Sequence, residues 1–160
     1  MHLSTRGRYA VMAMVELACR DAAHPVTLAD IAGRQQLSLC YLEQLFGGLR
    51  RAGLVTSARG PGGGYRLARP ADIMTIADIV EAVDEPMRAT RCTEGEIGCL
   101  RDSQGERMVC ATHDLWSELG RQIHLFLASI SVADVVEGRV VGRALTRTGT
   151  EPARLPEPTT

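Results

Sequence analysis

Between Arg59 and Arg66 the chain reads RGPGGGYR, and no helix or uninterrupted strand can run through that stretch. Proline lacks an amide and fixes its own φ, while glycine reaches backbone conformations that other residues avoid. The flanking segments, Leu54 to Arg59 and Tyr65 to Arg69, read as two short strands folded back on the turn Gly60-Pro61-Gly62-Gly63-Gly64. A phosphate-cradling loop is the rival reading. That motif needs Lys-Ser/Thr opening a helix after its last glycine, and here Tyr65-Arg66-Leu67 continues as a strand.

What precedes the hairpin says what it belongs to. Tyr9, Val11, Met14, Val15, Leu17 and Ala18 form a broad helical stripe, predicting a first helix over about Arg8 to Cys19 that His24-Pro25 breaks. Thr27 with Asp30 three residues on is a capping box opening a short helix through about Arg34. Ser38 caps the next helix, LCYLEQLFGGLRRA, which Gly53 is placed to stop. Its period turns Leu39, Leu42, Leu45, Phe46 and Leu49 inward and Cys40, Tyr41, Glu43, Gln44 and Gly47 outward. Two short helices on a tight turn would by themselves be a generic helical hairpin. Followed at once by a glycine-tipped β-hairpin, they make a winged helix-turn-helix, the architecture that lays its second helix in a DNA groove.

Charge agrees with a polyanion partner. Residues 1–70 hold nine Arg against four acids (Glu16, Asp21, Asp30, Glu43), a net of +5, whereas residues 71–160 hold nine Arg against fifteen acids, a net of -6. The chain contains no lysine, so every fixed positive charge is a guanidinium. With 45% hydrophobic and 23% charged residues, no run of about 18 apolar residues and no signal-peptide pattern at MHLSTRGRYAVMAM, the expectation is a cytoplasmic protein with no membrane partner.

Downstream, Thr75-Ile76-Ala77-Asp78 is a second capping box, opening IADIVEAVDE, which Pro86 closes. Met87 to Ala111 shows neither helical nor strand period, and an insert of that length is usually functional or disordered. HDLWSELGRQIHLFLASI then sets Leu115, Trp116, Leu119, Ile123, Phe126, Leu127 and Ile130 along one side of the longest helix. So small a winged domain cannot cover that stripe, which predicts a second copy as partner. Ser131-Val132-Ala133-Asp134 caps a last helix ending near Gly138, and the Pro/Thr/Arg-rich remainder has the composition of a disordered tail. The expected organisation is mainly α with a small β wing: a DNA-binding domain over 1–70, a sensor and dimerisation region over 71–138 (cysteine loop 87–111, dimer helix 113–130) and a tail over 139–160.

Cysteine placement supplies the sensor. Cys92, Cys99, Cys110 and His113 follow the pattern C-x6-C-x10-C-x2-H, a full tetrahedral set for zinc or four ligands for an iron-sulfur cluster. Their neighbours are Arg, Thr, Glu, Gly and Asp, which argues against buried inert thiols. Ordering so polar a segment costs on the order of 1 kcal/mol per residue with little apolar burial to offset it, so a ligand that orders it would act as a switch. Cys19 reads as an inert thiol on the core side of the first helix. Cys40 opens the recognition helix, where a DNA contact or a plain exposed thiol is expected ahead of a redox sensor. His124 faces out of the long helix. No general base, substrate motif or cofactor fingerprint lies near the cysteines, so neither an enzyme nor a small-molecule substrate is expected.

Taken together, LSTRGRYAVMAM, LSLCYLEQLFGGLRRAGLVTSARGPGGGYRLAR, IVEAVDEP and ATRC with C-x2-H-D-L-W resemble the iron-sulfur cluster regulators of the IscR type, within a winged-helix transcriptional repressor family. The similarity spans about residues 1–136. It implies a homodimer whose Cys92, Cys99, Cys110 and His113 ligate a [2Fe-2S] cluster, one per subunit, and which represses cluster-assembly genes when loaded while its cluster-free form acts at other promoters. It also implies contacts to double-stranded operator DNA from Ser38, Cys40, Tyr41, Glu43 and Gln44 in the major groove and from Arg59, Gly60, Gly62 and Gly64 near the minor groove. The alternative at the same ligands is a structural zinc, or a cluster that senses nitric oxide or redox state.

Overall fold

A computed structural model of the chain describes residues 5–20, 24–83, 100–101, 107–108 and 111–142. Helix α1 is Thr5–Ala18, α2 Leu28–Gln35 and α3 Leu39–Arg51; strands β1, Val55–Ala58, and β2, Gly64–Leu67, follow, then α4, Ile76–Ala82. A two-residue ladder pairs β3, Leu100–Arg101, with β4, Arg107–Met108, in the insert where the sequence shows no period. The long helix α5 is His113–Ala128 and α6 is Val132–Val136.

Helix starts lie where capping chemistry puts them. The Thr27 side chain accepts from the Asp30 amide, Ser38 from Tyr41, Thr75 from Asp78 and Ser131 from Asp134. In the last two pairs the aspartate also accepts from the cap residue's own amide, completing the box. Helix α3 ends at Arg51, and Gly53 follows with φ 68, as a helix stop requires. Two sequence readings need correction. Leu39 is 45% exposed, because helical side chains lean toward the N-terminus and the first residue covers the preceding turn rather than the core. Cys19 is exposed, because α1 stops at Ala18 and the chain leaves the core there.

One core serves the described helices and runs across residue 70. Ala10, Met14, Ile31, Leu42, Phe46 and Leu49 cluster with Met74, Ile79, Val83, Ile130 and Val132. The wing is antiparallel, pairing Val55 with Leu67 through Ala58 with Gly64. Its inner edge is extended by Val26, whose amide donates to the Tyr65 carbonyl at 2.9 Å and whose carbonyl accepts from the Tyr65 amide at 2.8 Å. A Cβ on Gly64 would sit 2.5 Å from the Val26 carbonyl oxygen, so only glycine admits this approach. Tyr65 meets Phe46 edge-on with ring centroids 4.8 Å apart, seating the wing on α3.

The two complete capping boxes interlock. Thr75 and Ser131 pair as an antiparallel bridge, the Ile76 amide donates to the Ile130 carbonyl at 2.9 Å, and the Val132 amide donates to Met74 at 2.8 Å. The far end of α5 is thereby clasped to the start of α4. Beyond α6, Arg139 pairs with the buried Asp134 at 3.1 Å and with Glu137, so residues 139–142, assigned to the tail from sequence, begin as an ordered turn. Among the described residues no helix is long and apolar enough to cross a membrane.

Candidate functional site

The outer face of α3 is open. Ser38, Cys40, Glu43 and Gln44 are exposed, whereas Leu42, Leu45, Phe46, Gly48 and Leu49 are buried behind them. Tyr41 is half-buried: its ring stands edge-on to Tyr9 of α1, centroids 6.0 Å apart at 87°, so it ties α3 to α1 as well as bordering the open face. On the wing, Arg59, Gly60 and Gly62 are exposed, while Gly64 is half-buried and committed to the β-ladder.

Charge pairing sharpens the sequence reading. Glu16 is consumed by Arg20 at 2.8 Å and Arg34 at 2.6 Å. Asp30 accepts the Thr27 hydroxyl at 2.7 Å. Arg8, Arg50, Arg51, Arg59, Arg66 and Arg69 have no ion pair among the described residues, so the basic part keeps six guanidiniums unclaimed by carboxylates, with Arg51 Nε donating to the Gly47 carbonyl at 3.3 Å. Glu43, likewise exposed and without an ion pair among the described residues, lies on the open face of α3. Among the described residues of the acidic part, Arg121 is bound to Glu118 at 2.6 Å and Arg139 to Asp134.

Helix α5 buries none of its residues. Leu115 is 61% exposed, Leu125 45%, Trp116 40% and Phe126 37%, a broad apolar surface without cover among the described residues. Its polar side is internally satisfied: Arg121 and Gln122 both donate to Glu118 and pull its carboxyl down to about 2. His124, read as outward-facing, places Nδ1 3.3 Å from Glu81 Oε1 of α4.

Of the expected metal ligands, Cys92, Cys99 and Cys110 lie outside the described residues. His113 opens α5. Its Nδ1 is buried with no hydrogen-bond partner among the described residues, and its Nε2 lies 3.5 Å from Ser117 Oγ. A buried nitrogen left unsatisfied costs ~1–3 kcal/mol, and metal ligation with the second nitrogen hydrogen-bonded is the arrangement that relieves it. Among the described residues no three His, Cys, Asp or Glu side chains group as a metal site.

Residues 3–138 match Rrf2, described as iron-dependent transcriptional regulators. The chain belongs to the Rrf2 family. It is 47% identical to the HTH-type transcriptional regulator IscR of Xenorhabdus nematophila over 156 residues, covering 98% of this chain and 92% of that one. Among solved structures it is similar to T. potens IscR, at 34% identity and TM-score 0.69 over 87% of this chain and 88% of that chain. It is similar to the same degree to CymR (YrzC), the global cysteine regulator of B. subtilis, at 33% identity and TM-score 0.69 over 86% and 98%. As an Rrf2 protein the chain is a DNA-binding transcriptional regulator with a winged-helix fold.

Sequence reasoning missed three features of this Rrf2 chain that involve partners distant in sequence: the Tyr9–Tyr41 contact, the Glu81–His124 pair and the clasp between Thr75 and Ser131. The two matching cap motifs were a visible signal for the last, but nothing in their spacing says that they face each other.

Proposed function

We propose that the chain is a homodimeric iron-sulfur-cluster-sensing regulator of the cytoplasm, holding one [2Fe-2S] cluster per subunit on Cys92, Cys99, Cys110 and His113. The observation that carries the reading is the buried Nδ1 of His113, without a hydrogen-bond partner among the described residues and three residues beyond the last of three cysteines in the C-x6-C-x10-C-x2-H pattern. Three thiolates and an imidazole suit such a cluster, and relatives similar to this chain over most of its length are named IscR. When bound, the cluster supplies a centre whose presence reports cluster supply.

This chain's residues do the rest. Gln44 pairs with adenine and Glu43 accepts from the cytosine amino group, each contact worth ~1–3 kcal/mol of discrimination. An unpaired carboxylate against DNA is repelled by phosphates unless cytosine rewards it, so Glu43 also excludes sites. Ser38, Cys40 and Tyr41 border that contact, and Arg59 with Gly60, Gly62 and Gly64 brings the wing to the minor groove. A second copy covers the apolar stripe of α5, setting two recognition helices against a two-fold operator. Residues 1–70 then bind DNA, 71–138 sense and dimerise, and the loaded form represses cluster-assembly genes while the cluster-free form acts elsewhere.

The test is anaerobic isolation with visible absorption and metal analysis. Coloured protein containing iron and sulfide is expected, and Cys92→Ala should lose the colour while remaining a folded DNA-binding dimer. The same four donors are a complete zinc set, so colourless protein carrying one zinc per subunit would replace sensing with a structural role.

A further inference from the structure

Helix α4 is held at its start and meets three different parts of the protein at its end. Its first turn is fixed by the Thr75–Ser131 bridge and by the hydrogen bonds from Ile76 to Ile130 and from Val132 to Met74. Its last residues behave differently. A Cβ on Gly48, in the middle of the buried side of α3, would sit 2.5 Å from the Ala82 carbonyl oxygen, so the recognition helix rests directly on that backbone. The preceding residue, Glu81, meets His124 of α5 at 3.3 Å. The following residue, Val83, is buried at 1% exposure, and nine residues further along the chain stands Cys92.

One turn therefore touches the recognition helix, touches the long helix and leads into the cysteine segment. Gly48 lies four residues beyond Gln44 and five beyond Glu43, which is ~6–7.5 Å along the axis at ~1.5 Å per residue. Helix α3 is backed by Leu42, Leu45, Phe46 and Leu49, so a displacement at Gly48 carries Glu43 and Gln44 with it as one body. Helix shifts of ~1–2 Å are the usual scale of such switching, and a glycine contact has no side chain to absorb them.

We propose that the last turn of α4, Glu81–Val83, is the seat that positions the recognition helix through Gly48 and is itself held to α5 by His124, which makes Gly48, Glu81 and His124 positioning residues for DNA recognition. The inference rests on the cluster reading above, since the state of the cysteine segment is what would bias this turn.

The experiment uses the full-length protein and the duplex that wild type selects from a random DNA pool. Affinity is measured by fluorescence anisotropy for anaerobically isolated protein and for the same protein after cluster removal, with visible absorption giving occupancy. Glu81→Ala and His124→Ala change half-exposed side chains and leave the fold intact. They are expected to move the loaded-to-unloaded affinity ratio at least about fivefold toward one, with absorption per subunit and dimer mass unchanged, a change of about 1 kcal/mol in coupling. Gly48→Ala is expected to weaken binding to the selected duplex at least about tenfold (~1.4 kcal/mol) in both forms while binding to random-sequence DNA stays within about twofold. Partial unfolding would instead lower both together.

A ratio within about twofold of wild type in both surface variants, or parallel loss of selected and random binding in Gly48→Ala, overturns the proposal. Wild-type protein that carries no cluster would sink the sensing reading and the α5 part of the inference with it. The Gly48→Ala comparison would then still decide whether α4 positions α3.

Discussion

Arg59 stands at the junction of β1 and the glycine turn, exposed and with no ion pair among the described residues, so its guanidinium has nothing to give up on meeting a phosphate. Replacing it with alanine removes one cation per subunit and two in the proposed dimer. Each phosphate neutralised contributes ~0.9 to the slope of log K against log salt, so the slope should fall by ~1.8. Extrapolated from 1 M to 0.1 M salt, that is about 60-fold in affinity, or ~2.4 kcal/mol. Because the side chain is exposed and makes no ion pair among the described residues, folding stability should stay within ~0.5 kcal/mol of the parent. The assay is anisotropy of a labelled duplex titrated at about 50 to 300 mM KCl, the range over which counterion release is readable. Arg121→Ala is the control: also exposed, but ion-paired to Glu118 on the long helix, it should leave the slope unchanged. A slope for Arg59→Ala within ~0.3 of the parent would show that the wing does not touch phosphate.

Two further outcomes are expected. Thr75→Ala and Ser131→Ala each remove a helix cap and should cost ~1 kcal/mol, lowering the melting temperature by ~2–4 °C. Since the two caps face each other across one bridge, the double variant should depart from additivity by more than ~0.5 kcal/mol, and simple additivity would mean the clasp is not cooperative. Phe126→Arg places a charge in the exposed apolar stripe of α5 and should convert dimer to monomer by light scattering while preserving helix content. An unchanged mass would put the dimer contact elsewhere.

What was legible in the sequence was local. A cap needs an oxygen and an amide three residues apart, so Thr27, Ser38, Thr75 and Ser131 announced four helix starts that the structure repeats. The run from Gly60 to Gly64 excluded every element but a turn, and its place after two short helices made the winged fold readable before any contact was known. The recognition face followed from period: Glu43 and Gln44 are exposed and Leu42, Leu45 and Phe46 buried, as counted. Where periodicity failed, a neighbour was missing from the count. Leu39 has nothing beneath it at the helix start, and Tyr41 is drawn inward by Tyr9, thirty-two positions earlier.

Net charge shows the same division. The sequence alone determined that the basic residues concentrate in the first seventy positions. Folding is what ties Arg20 and Arg34 to Glu16 and leaves Arg59, Arg66 and Arg69 without an ion pair among the described residues. Likewise the sequence alone determined the capping boxes, the wing and the four-donor pattern, because each is set by groups a few residues apart whose geometry the backbone enforces. It took the folded arrangement to bring the end of α4 against Gly48, to set Glu81 beside His124, and to bury a His113 nitrogen that has no partner among the described residues. Those contacts join residues that no periodicity relates; each is fixed by the packing of whole helices about one core, where many small apolar contributions, rather than any local rule, set which surfaces touch.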